Sequence, residues 1–253
     1  MSLLVQGPIG RHFAQFHRDV GDLVESVFTF LEAGLRSGNS ILIVATPEQL
    51  DRLSDRLAAD KYHPKALRDS GQLAYVDAAR ILDHFGANGD SQRMVLRAAV
   101  APTLSRLQLH GRGIRVYSEL ADLLWRAGDT DTAIEVEEFW NTRAETRPFS
   151  LYCGYTMDTH SERSYLGPLE ELGRTHAEIL GTPEDERFGM ALDRASKEIF
   201  GISLTQMAGV SRQDGARRFP SGQRAMLWVT RNLPLSSVQL ADRARQYFAD
   251  GRA

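Results

Sequence analysis

The sequence predicts an α/β fold, a mostly parallel sheet with helices on both faces, followed by a small helical C-terminal module. Three observations carry this expectation. Short apolar runs of strand length alternate with helix-period segments across residues 11–155. Runs such as Ile41-Leu42-Ile43-Val44-Ala45 are continuously apolar rather than alternating, which marks a strand covered on both faces. Beyond Gly181 the strands stop and helix-period segments take over, so the chain divides into residues 1–181 and 182–253.

Residues 11–16 read as the first strand. Asp22 then offers an N-cap with Glu25 as its capping-box partner, and Leu23, Val24, Val27, Phe28, Leu31 and Leu35 recur at helical spacing up to Gly38. After the 41–45 strand, Thr46 is an N-cap with Pro47 at the first helical position, and the helix runs to about Ala59. Gln72–Val76 is a strand ending at Asp77, which can cap a helix carrying Ile81, Leu82 and Phe85. Ser91–His110 is a longer helix, kinked or offset at Pro102. Ile114–Ser118 is a strand running at once into Glu119 and a helix over 120–127, with a further helix over 131–142 and a strand over 149–155. Thr182-Pro183 starts a helix through Phe200, a loop spans 209–222, and two short helices close the chain.

The composition suits a globular protein, with 42% apolar and 25% charged residues in 253. A net charge of −3 is too small to imply a polyanionic partner. The single cysteine, Cys153, rules out an intrachain disulfide framework and fits a reducing, cytoplasmic setting. No apolar run reaches membrane-spanning length and no signal peptide is read at residues 1–10. Residues 182–253 hold 11 basic and 8 acidic side chains against 19 and 25 before them, a slightly basic tail on an acidic body.

Several segments point to a family. Phe30-Leu31-Glu32-Ala33-Gly34-Leu35, running through Gly38 into Ile41–Val44, resembles the stretch that follows the Walker A loop in KaiC and RecA relatives. His12-Phe13-Ala14-Gln15-Phe16-His17 resembles the first strand of the methanogen/methylotroph DcmR-type sensory (MEDS) domain. Gly71-Gln72-Leu73, Arg115–Glu119, Glu137–Asn141 and Phe149–Tyr155 match the same family in order, over about residues 11 to 180. The family pattern usually has a cysteine or similar small residue near Ala14 and a tyrosine near His17, and the chain departs from it there. The resemblance implies a RecA/KaiC-like scaffold and a role in signalling or small-molecule sensing. Founding members are linked to one-carbon or halomethane responses.

A phosphate-binding loop needs G-x-x-x-x-G-K-[ST], because backbone amides and a lysine must wrap the phosphates. At the equivalent place this chain reads Phe16-His17-Arg18-Asp19-Val20-Gly21-Asp22, with two carboxylates where phosphate would sit. The loop is read as degenerate, and no ATP hydrolysis is expected. In open α/β sheets ligands sit at the carboxyl ends of the strands. Those ends carry His17, Arg18, Asp19, Thr46, Asp77, Ser118, Glu119 and Tyr155, a set of acids, hydroxyls and one base suited to a small polar molecule. Asp19, Thr46 and Asp77 also occupy cap positions, while Glu119 resembles a Walker B-adjacent acid.

No cofactor is expected, and a metal is set aside because His12 and His17 do not share a strand face. Cys153 reads as a buried, inert thiol and Trp140 as core. No catalytic constellation emerges. The expected role is a sensory or regulatory module binding a small-molecule ligand or a signalling protein, without nucleic acid or membrane. The alternatives are a DNA-binding transcription regulator using residues 204–219 and a divergent nucleotide-binding, ATPase-like protein. Leu204–Phe219 has a weak likeness to a DNA-binding helix-turn-helix, but Gly215 and Pro220 argue against its second helix. Phe188, Ala191, Leu192, Ala195 and Ile199 form a stripe that its own body or a second copy, as a homodimer, must cover.

Overall fold

The computed structural model describes residues 3–8, 10–85, 91–146, 148–204, 206 and 218–251. Six strands, β1 (His12–His17), β2 (Ser40–Ala45), β3 (Leu73–Asp77), β4 (Ile114–Ser118), β5 (Ser150–Thr156) and β6 (Glu178–Leu180), form one sheet in the order β3-β2-β4-β5-β1-β6. β2 pairs in parallel with both β3 and β4, and β4 with β5. Among the described residues the helices are α1 (Leu3–Gln6), α2 (Val20–Arg36), α3 (Pro47–Ala59), α4 (Pro64–Asp69), α5 (Ala78–Leu82), α6 (Gln92–Gln108), α7 (Leu120–Arg126) and α8 (Thr130–Thr146). After β5 come α9 (Leu169–Thr175), α10 (Pro183–Phe200), α11 (Ser221–Asn232) and α12 (Pro234–Ala249). The α/β class and the helical C-terminal segment expected from the sequence are both present.

By backbone contacts the chain forms two compact units, one of residues 1–13 and 19–156, the other of residues 14–18 and 157–253. In the first unit β2 is buried along its whole length, as its unbroken apolar run requires. Helix α2 packs on β2, β4 and β5, and α6 packs on β2 and β3. The rings of Phe13, Phe30 and Tyr152 meet at centroid distances of 5.6–5.7 Å and knit α2 to the sheet. In the second unit the stripe of α10 buries Phe188, Ala191, Leu192 and Ala195, and α10 packs on α11 and α12. A Cβ on Gly222 would lie 2.9 Å from the Cα of Gly189, so the α10–α11 crossing requires glycine there.

The expected caps form. Thr46 and Asp77 accept bonds from the amides of Gln49 and Arg80, and Thr182 with Asp185 makes a complete capping box. Helix α2, however, starts at Val20 rather than after Asp22, because Asp19 supplies the cap and takes the Asp22 N–H at 2.9 Å. Helix α6 continues through Pro102. The short elements α1, α4, α9 and β6 were not expected from the sequence.

One buried cation organises the amino-terminal edge of the first unit. Arg115, on β4, donates to the carbonyls of Leu4 and Phe30 at 2.9 Å and to those of Val5 and Gln6 at 2.9 and 3.1 Å. It thereby satisfies the last carbonyls of α1, which a helix leaves unbonded. Gly34 makes room for it, since a Cβ there would lie 2.6 Å from Arg115 Cδ. Arg115→Ala is expected to destabilise the fold by about 2–4 kcal/mol in urea unfolding, because buried carbonyls lose their donors. Arg115→Lys should recover little, since one ammonium cannot reproduce the planar fork.

Candidate functional site

The crossover after β2 leads outward to β3, whereas that after β4 leads the opposite way to β5. Adjacent strands β2 and β4 thus form a topological switch point, where open α/β sheets place their ligand crevice. Thr46 follows β2 and Glu119 follows β4. The Glu119 carboxylate accepts the Thr46 N–H at 2.8 Å and the Thr46 hydroxyl at 3.1 Å, tying the start of α3 to the end of β4. The Ser118 hydroxyl lies 3.4 Å from the Leu120 amide.

One turn along α7, Asp122 turns inward. It accepts the Thr156 N–H at 2.9 Å and pairs with Arg126 Nε at 3.0 Å. Burial nevertheless raises its pKa to about 6, outweighing the Thr156 amide and Arg126, with Glu119 adding like charge. Asp122 was not legible in the sequence, where it is one acid in the first turn of a short helix.

Beside this edge, at the end of β3, a cavity of about 560 Å³ lies between α5 and α6. Val76, Ile81, Met94, Val95, Ala98 and Ala99 give it apolar walls, and Asp77, Arg80 and His84 give it a polar side. Its volume falls within the range of small-molecule sites.

A second polar cluster lies deeper in the first unit. Glu137 of α8, fully buried, sits 3.1 Å from His12 Nε2 and 3.3 Å from Cys153 Sγ, and accepts the Tyr155 hydroxyl. His12 Nε2 is 3.3 Å from Cys153 Sγ, and its Nδ1 meets Asn141 Oδ1 at 2.9 Å. Burial, reinforced by the Glu137 carboxylate, holds the Cys153 thiol and the Tyr155 phenol well above their ordinary pKa values. Glu137 and Cys153 carried no signal as a pair, because one lies on a helix and the other in an apolar strand.

The residues singled out from the sequence therefore take distinct places. Thr46, Ser118 and Glu119 meet at the switch point, Asp77 lines the cavity, Asp19 caps α2, and Tyr155 joins the Glu137 cluster. His17 and Arg18 belong to the second unit. There His17 is buried, and Arg18 pairs with Glu184 at 2.7 Å and Asp158 at 3.2 Å. Most of the 204–219 segment lies outside the described residues. No described helix is long and apolar enough to cross a membrane.

Fold and site together define a parallel α/β domain whose polar groups collect at the carboxyl edge of its sheet and in one buried cluster. The family described as MEthanogen/methylotroph, DcmR Sensory domain (MEDS) matches residues 11–177, and the chain belongs to this family of sensory domains. No curated protein and no solved structure matches the chain.

The raised pKa of Asp122 has a definite sign in stability. Its favourable contribution is full below the unfolded value of about 4 and is lost as pH rises through about 6. Asp122→Asn keeps an acceptor for Thr156 and removes that titration. Relative to wild type, the variant is expected to gain about 2–3 kcal/mol between pH 4 and pH 7 in urea unfolding. A constant difference across that window would show that Asp122 stays ionised.

Proposed function

We propose that this chain is a ligand-sensing signalling protein of the reducing cytoplasm, on a RecA/KaiC-like scaffold with a degenerate phosphate-binding loop, that takes up a small molecule and does not hydrolyse ATP. Membership of a sensory family supports the general role. The single observation that carries the binding reading is the cavity of about 560 Å³ at the end of β3, with Asp77, Arg80 and His84 on one side of apolar walls. That lining favours a small, largely apolar molecule bearing one polar group. At the β2–β4 switch point Thr46 and Glu119 already bond one another, and serve to hold α3 and α7 against the strand ends.

Against phosphate binding stands Asp19. Its carboxylate takes the first-turn amide of α2 at 2.9 Å, and so occupies the helix start where an anion would otherwise bind. A second acid, Asp22, follows in the same turn.

Thermal unfolding against small, largely apolar compounds bearing one polar group, one-carbon compounds among them, with Mg-ATP as a separate arm, tests this reading. A ligand bound only by the native state at about 100 times its Kd stabilises it by about 2.7 kcal/mol. At least one small compound is expected to raise Tm, and Ala98→Trp, which fills the cavity from an exposed position on α6, should abolish that shift. Stabilisation by Mg-ATP, or a small-molecule shift that survives Ala98→Trp, would overturn the assignment.

A further inference from the structure

The buried cluster of His12, Glu137 and Cys153 has a chemistry that the sensory reading does not use. Each side chain offers one metal-binding atom, and all three are buried. The separations are 3.1 Å from His12 Nε2 to Glu137 Oε2, and 3.3 Å from Cys153 Sγ to each of those atoms. Metal bonds of about 2.0–2.3 Å in tetrahedral geometry place neighbouring donors roughly 3.3–3.6 Å apart, so three corners of such a site are nearly preformed. We propose that His12, Glu137 and Cys153 bind a divalent transition metal of the zinc class.

Two features beyond the spacing support this. The donors are oriented by a surrounding shell of the kind metal sites use. With Asn141 Oδ1 2.9 Å from His12 Nδ1, the ring N–H is held there and the Nε2 lone pair is directed at the cluster. Tyr155 donates its O–H to Glu137 Oε1 and leaves Oε2 as the oxygen facing His12 and Cys153. Charge balance points the same way. A thiolate, a carboxylate and a neutral imidazole sum to two negative charges, which a divalent cation cancels inside a low-dielectric core. Binding requires Cys153 to release its proton to solvent, forming a metal–sulfur bond without any change of oxidation state.

The mixed N, O, S donor set suits zinc or cobalt(II) better than magnesium or calcium, which take oxygen ligands. The metal site is separate from the cavity beside β3, and its test uses no small-molecule ligand, so either assignment can fail alone.

The experiment strips the full-length protein with chelator and titrates it with Co2+, then with Zn2+ in competition. The expected result is one equivalent of Co2+ per chain, a sulfur-to-cobalt charge-transfer absorption, and tetrahedral ligand-field bands that Zn2+ displaces. Cys153→Ser should remove the charge-transfer band. Asn141→Leu, which leaves all three donors in place, should weaken Co2+ binding by roughly 10–100-fold. X-ray absorption of the zinc form should show one sulfur ligand in the wild-type protein, a readout independent of whether any variant folds. Wild-type protein that takes up no stoichiometric Co2+ or Zn2+, or binds it without a sulfur signature, would overturn the proposal.

Discussion

Strands β2 and β4 are covered on both faces, and that two-sided burial constrains everything polar in the first unit. A side chain pointing from such a strand meets apolar neighbours, so a charged group within the layer must carry its partners with it. Arg115 meets this demand with four backbone carbonyls, and Glu137 with His12, Cys153 and Tyr155. Where the strands end the demand relaxes, and the shorter polar residues Thr46, Asp77 and Ser118 appear at those ends. The carboxyl edge is polar because the backbone there leaves the sheet and turns into helices that need caps.

The same constraint explains why the two polar clusters differ in kind. At the switch point, Thr46 donates two hydrogen bonds to Glu119 that fix the start of α3, and Asp122 holds the end of β5 through the Thr156 amide. These bonds organise backbone. The Glu137 cluster instead gathers side-chain donor atoms from α8, β5 and the start of β1 around one point, with Asn141 and Tyr155 orienting two of them. Desolvation raises the cost of each charge there unless another group cancels it, so the cluster is chemically demanding in a way the edge is not.

Much of the architecture was legible because it rests on short-range rules. Apolar runs of strand length, caps at Thr46, Asp77 and Thr182, and the stripe on α10 each depend on residues within a few positions of one another. Helix α2 shows the limit of that reading. Asp19 and Asp22 lie three residues apart, both can cap, and only the path of the chain out of β1 selects Asp19. The cavity beside β3 has no sequence signature, since it is the space left between α5 and α6.

The order of most strands and helices, the buried character of the sheet and the family of the chain are determined by the sequence itself, through periodicity, capping chemistry and ordered motifs. Tertiary structure alone decided what the buried polar residues do. His12 and Cys153 are 141 residues apart, and Glu137 lies on a different element from either. In the linear chain one is a strand histidine, one an inert thiol and one a helix acid. The sheet pairing that sets β1 beside β5, with α8 packed alongside, brings their donor atoms to a common point. No local rule encodes that proximity, because it is a property of the closed fold and not of any segment within it.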